Sequence, residues 1–289
     1  MATSLDDWMA GARPRTLWTA ITPVLVGTAA ANAVGDSDLL LAVLALGVGL
    51  ALQVGVNFAN DYSDGVRGTD VDRIGPDRLV ATGKATPTSV RMAAFASFGV
   101  AALLGLILVA LSGYWWLLGV GLVAIVAAWF YTGSSRPYGY AGWGEVSVFV
   151  FFGPVATLGT MYTQAGTVTW WAVLGSVALG LYAVAMLLVN NIRDIETDTA
   201  AGKRTLAVRV GDYRARQFYS AAVTLPLLIS ILIAFDQPWV LLTLLLILPA
   251  LLLVLGMRLR VGPALGPMFL GTTVVGFLYG MLLATGIAL

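Results

Sequence analysis

The chain has 289 residues, of which 59% are apolar and 11% charged, against roughly a quarter charged in an ordinary soluble domain. Its net charge of +1 offers no attraction for nucleic acid, and the absence of Cys and His removes disulfides, thiolate nucleophiles, imidazole bases and zinc sites of the His/Cys kind. Any chemistry must then rest on carboxylates, amides, Tyr, Lys, Arg and a metal.

A helix that crosses a bilayer needs roughly 20 mostly apolar residues, and nine stretches qualify. Arg13 and Arg15 precede the first, Thr16–Ala33, in which Pro23 is expected to kink the helix rather than end it. Leu39–Asn57 descends into a long loop carrying Arg67, Arg73, Arg78, Lys84 and Arg91. Met92–Leu111 and Trp115–Tyr131 follow, then a short loop whose one cation is Arg136. Val146–Tyr162, with Pro154, and Trp170–Val189 lead to a second basic stretch: Arg193, Lys203, Arg204, Arg209, Arg214 and Arg216. Tyr219–Phe235 and Trp239–Met257, with Pro226 and Pro249, end at Arg258 and Arg260, and Met268–Ile287 closes the series. Gly, Ala and Thr are frequent in these stretches, as close helix packing in lipid requires. No cleavable signal is evident, because the first apolar stretch is long and continues into the domain. The expectation is therefore an all-α, polytopic membrane protein in which residues 1–289 form a single integral-membrane domain.

All 16 Lys and Arg fall before the first span or in alternate loops, and the remaining loops and the C-terminus carry none. The positive-inside rule then places the N-terminus in the cytoplasm and the C-terminus outside. Trp115, Trp116, Trp170, Trp171 and Trp239 begin spans at the outer interface, where an aromatic belt is expected. An internal duplication is also suggested: four helices with an acidic run on the second, four more with one on the second, and one extra.

Those acidic runs are Asn57-Phe-Ala-Asn60-Asp61-Tyr-Ser-Asp64 and Asn190-Asn191-Ile-Arg193-Asp194-Ile-Glu196-Thr-Asp198. Asn57, Asp61 and Asp64 stand at i, i+4 and i+7; Asn190, Asp194 and Asp198 stand at i, i+4 and i+8, offsets that share a helix face. Polar residues at a span end often only mark where the helix meets water. Here the asparagines lie about a turn deeper than the acids, Gln53 extends the first stripe by another turn, and the pattern occurs twice. Clustered carboxylates repel unless a proton or a divalent cation neutralises them. Mg²⁺ takes one or two carboxylates, waters and substrate phosphate oxygens, so two such half-sites could grip a diphosphate and stabilise it as a leaving group. Arg73, Arg78, Lys84, Lys203 and Arg204 are candidate phosphate contacts, with topological charge as the alternative role. Tyr131 and Tyr138 could face an allylic cation or sit in the interfacial belt. Arg136 could hold a substrate anion or only set topology, and Glu145 could touch substrate or cap its span.

The first run with its sequel through Arg67-Gly-Thr-Asp70 resembles the first aspartate-rich motif of the UbiA-type intramembrane prenyltransferases, and Asp194-Ile-Glu-Thr-Asp198 resembles the second. Asp72-Arg73-Ile-Gly-Pro-Asp77-Arg78, Arg136-Pro-Tyr138-Gly-Tyr140 and Gly202-Lys203-Arg204-Thr-Leu-Ala-Val-Arg209 are similar to the branch that prenylates 1,4-dihydroxy-2-naphthoate in menaquinone biosynthesis. The resemblance covers nearly the whole chain and implies nine helices. It also implies Mg²⁺ held by Asp61, Asp64, Asp194 and Asp198, with Asn57 and Asn190 turned towards the metal shell or the allylic carbon. A polyprenyl diphosphate would be the donor and 1,4-dihydroxy-2-naphthoate the acceptor, losing its carboxylate to give demethylmenaquinol, with Arg136 and Glu145 as acceptor contacts. The enzyme would lie in the bacterial cytoplasmic membrane with its active site facing the cytoplasm. Many superfamily members have an acid where this chain has Gly65, leaving Asp64 or Asp70 to complete the first metal site; helical geometry favours Asp64. Two other readings remain at this point: a prenyltransferase for another aromatic acceptor, and a cation-coupled transporter with paired intramembrane carboxylates.

Overall fold

A computed structural model describes residues 3–68, 78–134 and 136–289, and all regular structure among them is helical. Helix α1 (Leu5–Ala12) starts on a reciprocal Ser4/Asp7 cap, and α2 (Trp18–Ala33) follows after one 3₁₀ turn. Helix α3 (Leu39–Arg67) is 29 residues long, begins where the Asp38 carboxylate accepts the Leu41 amide, and ends at Gly68, whose φ of 70° suits glycine. Thr86 caps α4 (Pro87–Ser112), and α5 (Leu117–Phe130) returns. Helices α6 (Gly144–Val150) and α7 (Ala156–Ala165) are joined by a π-helical turn, Phe151–Val155, which accommodates Pro154 without breaking the span. Next come α8 (Trp170–Arg193), the short α9 (Ile195–Ala200) and α10 (Leu206–Val210), and α11 (Asp212–Ile233). A 3₁₀ stretch, Pro238–Leu246, runs into α12 (Ile247–Leu259), and α13 (Gly266–Ala288) is last.

Each of the nine stretches expected to span is helical. Seven are long and apolar enough to cross a membrane: α3, α4, Gly144–Ala165, α8, α11, Pro238–Leu259 and Gly262–Ala288. The chain is an integral membrane protein. Helix α2 has 16 residues and α5 has 14, so at 1.5 Å per residue they extend about 24 and 21 Å, short of a core of about 30 Å. Helix α3 errs the other way: about 43 Å long, it carries its polar C-terminal turns past such a core.

Glycines set the closest approaches. A Cβ on Gly153 would lie 2.6 Å from the Ser176 carbonyl oxygen and 2.9 Å from the Gly180 Cα, so the π turn packs directly on α8. A Cβ on Gly27 would lie 2.4 Å from the Thr157 carbonyl oxygen, which brings α2 against α7. The largest buried cluster joins α2, α8, α11, α12 and α13 around Tyr182, Tyr219 and Tyr279. A smaller one joins α1, α3 and α4 around Phe58, Leu79 and Phe98. Between them a chamber of about 480 Å³ runs among α2, α3, α4, α5, Gly144–Ala165 and α8.

Candidate active site

The C-terminal ends of α3 and α8 bring polar side chains to one cavity of about 130 Å³. Asn60 and Asp64 reach it from α3, Asn190 and Asn191 from α8, and Asp194, Thr197 and Asp198 from the turn and helix beyond. Helix α8 stops at Arg193, and Asp194 (φ −98°, ψ 12°) interrupts the helix before α9 resumes at Ile195. The Asp198 amide still donates to the Asp194 carbonyl at 2.8 Å, so the i, i+4 spacing survives the interruption.

Charge is balanced around these acids. Arg78, 5% exposed, donates to Asp64 Oδ2 at 3.1 Å. The Lys203 ammonium lies 3.4 Å from Asp64 Oδ1 and 3.8 Å from Asp198 Oδ1. Arg193 holds both Asp194 oxygens at 2.7 Å. The Tyr140 hydroxyl also donates to Asp64 Oδ1, Lys203 stands 4.6 Å over the Tyr140 ring, and the Tyr140 carbonyl accepts the Arg204 amide at 2.8 Å. One short loop thereby ties the first acidic run to the second. Burial, and then the Asp64 charge, raise the Tyr140 hydroxyl above its ordinary range, so it remains a donor. Asp198 is pushed up to about 6, first by burial and then by Asp194 and Asp64, against the opposing pull of Lys203.

Of the residues singled out from sequence, Asp64, Asp194, Asp198, Asn190, Tyr131, Arg78 and Lys203 line this cavity. Asp61 does not. It is 1% exposed, and its two oxygens accept the backbone amides of Leu79 and Val80 at 2.8 and 3.0 Å, so it pins the returning loop to α3. Asn57 lines the apolar chamber alone and donates to the Ala12 carbonyl at 2.9 Å and Thr16 Oγ1 at 3.1 Å. Tyr138 also lines only that chamber; its hydroxyl donates to the Ala127 carbonyl at 2.8 Å and lies 2.9 Å from Ser147 Oγ. Glu145 is buried away from both cavities and accepts from Asn191 Nδ2 at 2.8 Å. Lys84 pairs with Asp7 at 3.2 Å, while Arg136 and Arg204 are exposed, and none of the three lines a cavity. Arg73 and Asp70 lie outside the described residues.

Of the expected α3 set Asn57, Asp61 and Asp64, only Asp64 lines the polar cavity, and Asn60 lines it beside Asp64. Asn60 and Asp64 stand at i and i+4, the same spacing that relates Asn57 to Asp61. Asn60, Arg13, Tyr140 and Asn191 went unassigned in the sequence reading; the signal for Asn60 was the same four-residue spacing that relates Asn190 to Asp194. Arg13 has φ 55° and is the one non-glycine with positive φ among the described residues, a strained conformation that often marks a functional position.

Arg13, Asn60, Tyr131, Leu187 and Asn190 line both the polar cavity and the apolar chamber, so the two meet there. Among the described residues no cluster of three or more carboxylates forms a ready-made cation cage. The donor set nevertheless fits a hard divalent cation that completes its shell with water and phosphate oxygens: Asp64, Asp194 and Asp198 with the amides of Asn60 and Asn190. The ammonium already held between Asp64 and Asp198 shows that this pair accommodates positive charge.

A model of the UbiA prenyltransferase family matches residues 20–265. The 1,4-dihydroxy-2-naphthoate octaprenyltransferase of Mycobacterium tuberculosis is 50% identical over 236 residues, covering 82% of this chain and 80% of that relative. Its namesake in Escherichia coli is 40% identical over 219 residues, covering 74% and 71%. Among solved structures, a UbiA homolog from Archaeoglobus fulgidus bound to GPP and Mg²⁺ superposes with a TM-score of 0.66 at 16% identity, covering 96% of this chain and 99% of that one. The same homolog bound to DMAPP and Mg²⁺ gives 0.64 at 16% identity, covering 96% and 99%. With the fold, the paired acidic runs and these matches in agreement, the chain belongs to the UbiA prenyltransferase family.

Proposed function

We propose that this enzyme transfers a polyprenyl group from its diphosphate to 1,4-dihydroxy-2-naphthoate, with loss of the ring carboxylate, to give demethylmenaquinol and diphosphate. The observation that carries this reading is the junction of a polar, oxygen-lined cavity with a long apolar chamber at Arg13, Asn60, Tyr131, Leu187 and Asn190. A prenyl diphosphate has the same two-part chemistry, and its reacting carbon lies where the parts join. The relatives that are 50% and 40% identical bear the name of this activity.

Asp64, Asp194 and Asp198 would hold Mg²⁺, with Asn60 and Asn190 as further oxygen donors. Bound there, Mg²⁺ would act as a Lewis acid that stabilises charge on the departing diphosphate. Arg78 and Lys203, paired with Asp64, would turn towards the diphosphate. The Tyr131 ring and the amide oxygens at the junction would stabilise the allylic cation left behind. The phenolic ring is electron-rich enough to attack that cation without a strong protein base. Asp61 would serve the fold by latching the loop at Leu79 and Val80, and Glu145 would support Asn191.

The whole of residues 1–289 would form one such domain, with α2 and α5 completing nine spans, the N-terminus and polar cavity cytoplasmic and the C-terminus outside. A cation-coupled transporter is disfavoured, since the acids sit at the ends of α3 and α8 and the chamber beyond them is apolar. The test is a competition assay on the purified enzyme with Mg²⁺, a polyprenyl diphosphate and equal amounts of dihydroxynaphthoate and 4-hydroxybenzoate. Prenylation of the naphthoate alone is expected; exclusive prenylation of 4-hydroxybenzoate would overturn the acceptor assignment.

A further inference from the structure

Two amides on α3 line the apolar chamber next to the junction. Gln53 is 6% exposed and Asn57 3% exposed. Their nitrogens are committed: Gln53 Nε2 donates to Thr16 Oγ1 at 3.0 Å, and Asn57 Nδ2 donates to the same hydroxyl at 3.1 Å and to the Ala12 carbonyl at 2.9 Å. The Thr16 hydroxyl spends its own proton on the Arg13 carbonyl at 3.0 Å, so it can only accept from the amides. This arrangement fixes both amide orientations and turns the carbonyl oxygens away from Thr16. Gln53 Oε1 is buried with no partner, and among the described residues nothing donates to Asn57 Oδ1. A buried acceptor left unsatisfied, as Gln53 Oε1 is, is costly to the fold, which is why a native structure rarely keeps one without a ligand to supply the donor.

We infer that Gln53 and Asn57 form a subsite that accepts a hydrogen bond from a ring hydroxyl of the aromatic acceptor, with Arg13 on the same wall facing the acceptor's carboxylate. This inference rests on the proposed naphthoate activity. In 1,4-dihydroxy-2-naphthoate the 1-hydroxyl is ortho to the carboxylate and bonds to it internally. The 4-hydroxyl, across the ring, is the free donor. A guanidinium and two amide oxygens joined through Thr16 match that pattern of one anion and one outward donor. The polyprenyl chain has neither group, so the subsite would separate acceptor from donor substrate within one chamber.

The test compares 1,4-dihydroxy-2-naphthoate with 1-hydroxy-2-naphthoate, which lacks the free donor. Turnover with Mg²⁺ and polyprenyl diphosphate is measured for the wild-type enzyme and for Gln53→Met, a substitution close in shape, and thermal unfolding is followed in both. In the wild type the diol is expected to have a KM lower by about tenfold or more, because losing the donor leaves buried acceptors unpaired. In Gln53→Met the diol KM should rise by a similar factor, the preference should collapse to within about twofold, and the prenyl diphosphate KM should stay put. A second variant, Thr16→Val, which frees both amides to rotate, should weaken the same preference without touching the acceptor contact itself. A folded Gln53→Met enzyme that discriminates as well as the wild type would overturn the subsite and leave the proposed reaction standing. A wild-type enzyme inert towards both naphthoates would remove the reaction and the subsite together.

Discussion

At the scale of single residues, the contrast between Asp61 and Asp64 is the sharpest consequence of the structure. Both are buried acids three positions apart on α3, but Asp61 satisfies two backbone amides while Asp64 faces Lys203, Arg78 and Tyr140. Asp64→Asn is expected to cut kcat of the folded protein by about a hundredfold or more, the signature of a lost ligand to a charge-stabilising ion. Asp61→Asn leaves one amide without its acceptor and is expected to cost about 1–3 kcal/mol of stability, with the folded fraction still turning over. Thermal unfolding and specific activity of the two proteins, measured together, check this; a stable but inactive Asp61→Asn would return Asp61 to the metal. From sequence alone both acids qualify as metal ligands. Asn57 and Asn60 each stand four residues before an acid, so spacing alone allowed two registers, and only the position of the loop at Leu79 and Val80 separates them. Nothing local in the sequence announces the left-handed turn that carries Arg13 to the junction.

At the scale of elements, the segment from α8 through α9 to Lys203 determines how the site responds to protons. Asp198 titrates near 6 in the metal-free protein, raised mainly by burial and held down in part by Lys203. A carboxylate must be deprotonated to bind a cation, so protons and Mg²⁺ compete. The apparent Mg²⁺ affinity should accordingly fall as pH drops below about 6 and level off above it. Lys203→Met removes the stabilising ammonium, so the Asp198 pKa rises and the same fall should begin at higher pH. Mg²⁺ titration of activity between pH 5 and 8 measures both; a threshold that moves down, or not at all, contradicts the assignment. The existence of α3 and α8 and the polar character of their ends were plain from hydropathy and spacing. Their facing through Tyr140 was not, because the loop from Tyr138 to Ala141 gains its meaning only from contacts to Asp64 and Arg204, far apart in sequence.

At the scale of the whole molecule, the helices follow the apolar stretches of the sequence. Nine apolar stretches were legible because lipid forces every backbone group into helical hydrogen bonds. What hydropathy could not give was their length: α2 and α5 prove short, and α3 overshoots. Those departures matter, since the short helices help wall the chamber. The absence of native Cys makes sidedness directly testable. In sealed, oriented vesicles, a single cysteine from Arg136→Cys should react with an impermeant thiol reagent only from the cytoplasmic side, and one from Asp36→Cys only from outside; both residues are exposed. The reverse pattern would invert the topology.

The central claim is that the polar cavity and the apolar chamber together transfer a prenyl group to a dihydroxynaphthoate. Its most direct measurement uses the purified enzyme, Mg²⁺, polyprenyl diphosphate and dihydroxynaphthoate carrying isotope in its carboxylate. One labelled carbon dioxide and one diphosphate should appear per molecule of prenylated naphthoquinol identified by mass, and a chelator should stop all three. Failure to form any prenylated naphthoquinol across several prenyl chain lengths would contradict it.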